Sequence, residues 1–205
     1  MDYTNYVTAR PMFDSDEELY FVWWLEELKQ LGYILSWRRS KAYSLCDKVK
    51  RGVDIVLKTK TKQGEQHVMN GAYYTPDFDI EWTPKALGVF VSYFGNRVKS
   101  DVMFYCGLTL RSVVEIKGMH DRNREIPLYT LKIKWLFQKY GIYVHLLKMP
   151  KIFKDTFTPA RYLTTNKSGI PRSLRLNKKP WTPKPLSEFV DSTTPTKKKD
   201  LFTTK

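Results

Sequence analysis

The chain has 205 residues, room for one well-filled core with or without an appended tail, and its 42% hydrophobic content with 6 Trp and 13 Tyr excludes a disordered chain. A formal charge of +14 and a pI near 9.6 point to a polyanionic partner, nucleic acid first. The two cysteines, Cys46 and Cys106, with no CxxC or HxxxH spacing, exclude a disulfide framework and a zinc site. The start, "MDYTNYVTARPMFDSDEE", is polar and acidic where a signal peptide is basic and then apolar. No apolar run of about 18 residues could span a bilayer, so a cytoplasmic protein is expected.

"FDSDEELYFVWWLEELKQLGYI" predicts a helix: Ser15 caps it, acidic residues fill its first turn, and Leu19, Val22, Trp23, Leu25 and Leu28 follow helical spacing until Gly32. The aromatic run within it is assigned to the core. "VDIVLKTKTKQGEQHVMNGAYYTPDFDIEW" predicts two antiparallel strands around a turn at Gln63-Gly64, with Pro76 starting or interrupting the second. Residues 83–100 read as an inserted hairpin.

"DVMFYCGLTLRSVVEIKG" predicts one or two strands, with Gly107 allowing a bend, and its near-continuous apolar character asks for a central place in the sheet. "IPLYTLKIKWLFQKYG" predicts a second helix ended by Gly141, and "IYVHLLKM" a strand ended by Pro150. The order gives an α/β fold with a mixed sheet flanked by helices over residues 1–150. Residues 151–205 carry 13 Lys/Arg against 4 Asp/Glu, with accumulating Pro and Thr. They predict a basic extended arm over 151–190 and a disordered tail over 191–205. Basic residues interleaved with Trp181, namely Arg172, Arg175, Lys178 and Lys179, suit a segment lying along a nucleic-acid backbone.

In "VVEIKG", a strand puts Glu115 and Lys117 on one face and Val114 and Ile116 on the other. If "YYTPDFDIEW" neighbours it, Asp77 and Glu115 can converge on one divalent cation, and their hard oxygens suit Mg²⁺. Lys117 would then stand beside the metal, where an ammonium holds the attacking water and offsets charge developing on phosphate. Each residue also has a plainer reading. Glu115 and Lys117 could be a surface ion pair. Asp77 could merely shape a turn after Pro76.

These residues resemble the PD-(D/E)XK nuclease superfamily, with Pro76-Asp77 as its PD element and Glu115-Ile116-Lys117 as its (D/E)XK element. "DSDEE" (14–18), "YTPDF" (74–78), "VEIKG" (114–118) and "KIK" (132–134) occur in the order of a phage-borne branch similar to Holliday-junction resolvases and Tn7-type transposase endonucleases. The resemblance implies a restriction-endonuclease-like core and a metal-dependent DNA endonuclease leaving 5′-phosphates. Its cofactor would be Mg²⁺, which Mn²⁺ can replace, and its compartment the host cytoplasm. It makes Asp77 and Glu115 the principal metal ligands, Glu18 a third carboxylate, Ile116 a ligand through its carbonyl and Lys117 the catalytic lysine. Lys132 or Lys134 would contact the phosphate backbone.

Branched or junction DNA and a homodimer are expected by analogy, because paired incisions need two sites. The competing class is a non-catalytic nucleic-acid-binding protein on a nuclease-like scaffold. A third reading is one subunit of a transposase-like complex. Ser15-x-x-Glu18 is also a capping box, an alternative use for Glu18. The 38-residue separation of Asp77 and Glu115 leaves Asp79, Glu81 or Asp101 open as the partner carboxylate.

Overall fold

The computed structural model describes residues 13–93, 104–107, 109–117, 126–164, 175–176 and 179–193. Helix α1, Asp16–Gln30, starts where predicted: Ser15 is extended and its hydroxyl accepts the Glu18 amide at 3.2 Å. It stops at Gly32, whose φ of 74° is open to glycine at little cost. The strands β1 (Ile34–Arg39), β2 (Tyr43–Cys46), β3 (Val49–Val56), β4 (Thr61–Met69), β5 (Ala72–Tyr74) and β6 (Phe78–Trp82) follow. After a 3-10 turn at Pro84–Ala86 come β7 (Val91–Tyr93), β8 (Phe104–Cys106), β9 (Arg111–Lys117), α2 (Ile126–Tyr140) and β10 (Val144–Lys148). The chain closes with α3 (Met149–Asp155), α4 (Ala160–Thr164), β11 (Arg175–Leu176), β12 (Lys179–Pro180) and α5 (Leu186–Thr193).

The central sheet has the order β1-β6-β9-β10. The first two pairings are antiparallel and β9 with β10 is parallel, so the sheet is mixed. A parallel pair needs a crossover, and α2 supplies it. Alternation sorts the two faces. Phe78, Ile80, Trp82, Val114 and Ile116 pack with Phe21, Val22, Trp24 and Leu25 of α1. On the opposite face Val113 and Val144 meet Leu136 of α2, joined by Tyr43, Leu45 and Tyr74. Trp24 and Phe78 are fully buried, and each such side chain contributes about 2–3 kcal/mol by area. No helix among the described residues is long and apolar enough to cross a membrane.

Several sequence expectations are corrected. The turn of the first hairpin lies at Leu57–Lys60, not Gln63-Gly64, because Leu57 donates to the Lys60 carbonyl and Gly64 sits within β4 opposite Val53. Gly64 is there for close approach: an added Cβ would lie 2.6 Å from Cδ1 of Ile55. The stretch read as an inserted hairpin shows no strand-to-strand pairing within itself among the described residues. Its β7 pairs in parallel with β8, and Phe90 and Val91 are fully buried against the aromatic core. Residues 94–103 lie outside the described residues.

Nor is 151–190 simply an extended arm. Ile152, Phe153, Phe157, Leu186 and Phe189 join the main core from α3, α5 and the segment after α3. Two of its prolines stand just before helices, Pro159 before α4 and Pro185 before α5, and so do not signal extended chain, whereas Pro180 lies in β12. Of the disordered tail expected over 191–205, residues 191–193 instead continue α5, and 194–205 lie outside the described residues. The segment assigned to two strands also holds four, β3 to β6, and the strands β1 and β2 before it were not foreseen.

Candidate active site

The start of β6, the end of β9, the end of β1 and the first turn of α1 meet at one edge of the sheet. Antiparallel pairing brings this about, since Phe78 faces Val114 on one side and Arg39 on the other. Asp77 enters the ladder by donating its amide to the Val114 carbonyl at 3.0 Å and accepting the Ser40 amide at 3.1 Å. Continuing the register would set Pro76 against Ile116, and a proline has no amide to give. The strands part there, and the Ile116 amide donates instead to Asp77 Oδ2 at 2.6 Å.

Glu115, 8% exposed, divides its carboxylate between two donors. Lys117 Nζ lies 3.0 Å from Oε1, and the Tyr74 hydroxyl donates to Oε2 at 3.0 Å. The two charges on one face of "VVEIKG" are therefore a pair in a largely buried strand, with Lys117 also 5.5 Å from the centre of the Tyr129 ring. Glu18 is the buried acid of the α1 first turn. Its carboxylate is engaged by Arg39, so only half of the capping box forms, the half in which Ser15 accepts the Glu18 amide. Arg39 also reaches Asp14 at 3.3 Å and lies 5.4 Å over the Phe78 ring.

Burial raises the Asp77 carboxyl to about 7, and the charges of Glu115 and Glu18 push the same way, against the Ile116 amide and Arg39. Three acids thus feel one another. Burial, with Glu115 beside them, also raises the phenols of Tyr74 and Tyr129 above their ordinary value. The buried hydroxyls of Ser40 and Tyr129 lack a well-formed hydrogen bond; that of Tyr74, near Tyr129, is given to Glu115.

An all-oxygen donor set with excess negative charge fits a hard divalent cation held by Asp77 and Glu115. Among the described residues no three His, Cys, Asp or Glu side chains form a ready-made coordination group, and Glu18 joins one only by leaving Arg39.

The rival carboxylates separate cleanly. Asp79, 4% exposed, is held by Arg111 and by Arg38 at 3.1 Å. Glu81 accepts from the Ser36 hydroxyl at 2.6 Å in an exposed pair. Asp101 and His120 lie outside the described residues. His67 is exposed on β4, and His145, on β10, has its imidazole lowered to about 4 by burial, against a backbone contact with Tyr105.

On α2, Lys132 is half-buried on a flank next to Tyr129, whereas Lys134 is exposed. Arg175 and Lys179 lie in the paired strands β11 and β12, and Arg172 and Lys178 fall outside the described residues. Sequence reading missed Arg39, Tyr74 and Tyr129. Tyr74 stood two residues before Pro76 in the motif itself; Arg39 and Tyr129 carried no local signal.

Comparison with known proteins finds no matching family model, curated protein or solved structure.

Proposed function

We propose that the protein is a metal-dependent DNA endonuclease of the PD-(D/E)XK kind, and that its mixed sheet with α1 and α2 is a restriction-endonuclease-like core. The observation that carries this reading is the meeting of Asp77 with the Glu115-Ile116-Lys117 run, through the 2.6 Å bond from the Ile116 amide. A purely structural use of these residues gives no reason for an Asp77 carboxyl raised to about 7 by burial beside Glu115 and Glu18, with Arg39 and the Ile116 amide only partly offsetting them.

Asp77 and Glu115, with the Ile116 carbonyl beside them, would hold Mg²⁺ or Mn²⁺, which supplies Lewis-acid charge at the scissile phosphate. Lys117 is placed by Glu115 and offers its protons to the attacking water and to a phosphate oxygen, where negative charge grows in the transition state. Tyr74 fixes the other Glu115 oxygen, which keeps the carboxylate from rotating toward Lys117 alone. The water oxygen bonds to phosphorus and gives up a proton to solvent, and the P–O3′ bond breaks. The 3′ oxygen leaves as a hydroxyl after taking a proton from solvent, and the 5′ side keeps the phosphate. Junction or branched DNA and a homodimer that makes paired cuts complete the proposal.

The test is nicking of supercoiled plasmid and of a four-way junction by wild type and Glu115→Ala, with Mg²⁺ or with EDTA. Cleavage by wild type only, and only with the ion, is expected. Cleavage that survives EDTA or the substitution would sink the mechanism. DNA binding with no cleavage by any protein would favour the non-catalytic scaffold.

A further inference from the structure

The longest departure from the core is the β3–β4 ribbon, whose residues are nearly all exposed, and its two faces differ in chemistry. The register sets Arg51 against Gln66, Val53 against Gly64 and Ile55 against Lys62 on one face, and Leu57 and Lys60 carry that face into the turn. It holds three cations and three apolar side chains and no acid. Asp54 and Glu65 are both on the other face, where Lys50 meets Glu65 at 2.7 Å. Gln66 accepts two bonds from the Arg51 guanidinium at 2.9 and 2.7 Å and so holds it extended along the ribbon. Ile55 lies folded down over Gly64, which keeps the face shallow.

We propose that this acid-free face is a DNA-gripping arm that lies in the major groove of a B-form duplex. The major groove, about 12 Å wide, admits a two-stranded β-ribbon, whereas the corresponding groove of an RNA helix is too deep and narrow. Arg51, Lys60 and Lys62 meet phosphates flanking the groove, and Val53, Ile55 and Leu57 rest against its apolar floor, where thymine methyls project. The eight residues of β3 span about 26 Å at 3.3 Å each, somewhat less than one helical turn. The base of the arm leads into the site: β4 passes through Asn70 and Gly71 into β5, where Tyr74 bonds to Glu115. A duplex held by the arm therefore continues toward Asp77. This inference deepens the nuclease reading and rests on it for what the grip delivers.

The test uses the full chain with Arg51→Gln, Lys60→Gln and Lys62→Gln combined, and separately a chain in which residues 53–64 are replaced by a tight turn. Binding to a fluorescent DNA duplex is measured in EDTA across a salt series, and hydrolysis of bis(p-nitrophenyl) phosphate, too small to reach the arm, is measured with Mn²⁺. The triple variant should lose about 100-fold in duplex affinity near 0.1 M salt, with its salt slope lower by about 3.

Unchanged small-diester hydrolysis alongside that loss supports both readings. The same binding loss with no hydrolysis by any protein keeps the arm and removes the nuclease. Unchanged affinity and slope overturn the arm whatever the site does. So does equal loss of binding to an RNA duplex bound as tightly as DNA, or a shortened-arm chain that binds DNA normally but sediments as a monomer where wild type is a dimer. The triple variant changes only exposed side chains, so it remains informative if the shortened chain fails to fold.

Discussion

Asp77 and Asp79 stand two residues apart, one just before β6 and one within it, and their surroundings are opposite. Asp79 is enclosed by two guanidiniums, from Arg38 and Arg111, which more than match its charge. Asp77 shares its space with Glu115 and Glu18, against Lys117 and Arg39, and its own nearest donor is a neutral amide. The first arrangement closes a structural need; the second leaves negative charge uncompensated at a sheet edge, in a chain whose net charge is +14. The difference comes from the partner strand. Asp79 lies in the paired part of the ladder beside Arg38 and near Arg111, while Asp77 lies where Pro76 ends pairing and frees the Ile116 amide.

Substitutions on the two sides should therefore fail in different ways. Lys117→Met should lower the rate of Mg²⁺-dependent DNA cleavage about 10³-fold, roughly 4 kcal/mol in the transition state, with DNA affinity in EDTA unchanged. A fall of less than tenfold would make Lys117 a mere partner of Glu115. Asp79→Asn should do the reverse. Removing one member of a buried pair typically costs about 3–5 kcal/mol. Because Arg38 is mostly exposed, a loss of about 2 kcal/mol in urea unfolding is the expected outcome, with cleavage by the remaining folded protein within a few-fold of wild type. A large loss of activity at full stability would put Asp79 in the site and remove the distinction.

The motif residues could be read from the sequence because local chemistry marks them. A carboxylate after a proline and a charged pair inside an apolar run are both unusual, and the structure brings Asp77 to the Glu115-Ile116-Lys117 run. Helices α1 and α2 were legible from caps and period, as was the central place of β9. What stayed hidden depends on distant contacts. Arg39 looks like one of several cations in a polar run until β1 pairs with β6 and sets it opposite Phe78. Tyr129 looks like helix filler until α2 lays it over Lys117. The prolines of 151–190 suggested extended chain, because a proline that opens a helix and one that prevents it look alike until Phe153 and Phe189 are seen in the core.

The smallest effect bears most directly on Asp77. Its carboxyl titrates near 7 when folded and near 3.8 when unfolded, so between those values the folded chain holds the extra proton. Stability from this group is thus complete below about pH 4 and is lost as pH rises through 7. Asp77→Asn keeps an acceptor for the Ile116 amide and cannot ionise. In EDTA at pH 8 it should be more stable than wild type by about 1 kcal/mol, a rise of roughly 2–4 °C in Tm, after allowing for partial exposure. At pH 3 the two should melt within about 1 °C, since the residue is then largely neutral in the folded and the unfolded wild type alike, and groups common to both chains cancel in the difference. Adding Mg²⁺ at pH 8 should raise the wild-type Tm and leave the variant nearly unmoved, which reverses or closes the gap. Equal melting at both pH values, with no response to the ion, would mean that Asp77 is as well compensated as Asp79, and the two carboxylates would then have one role, not two.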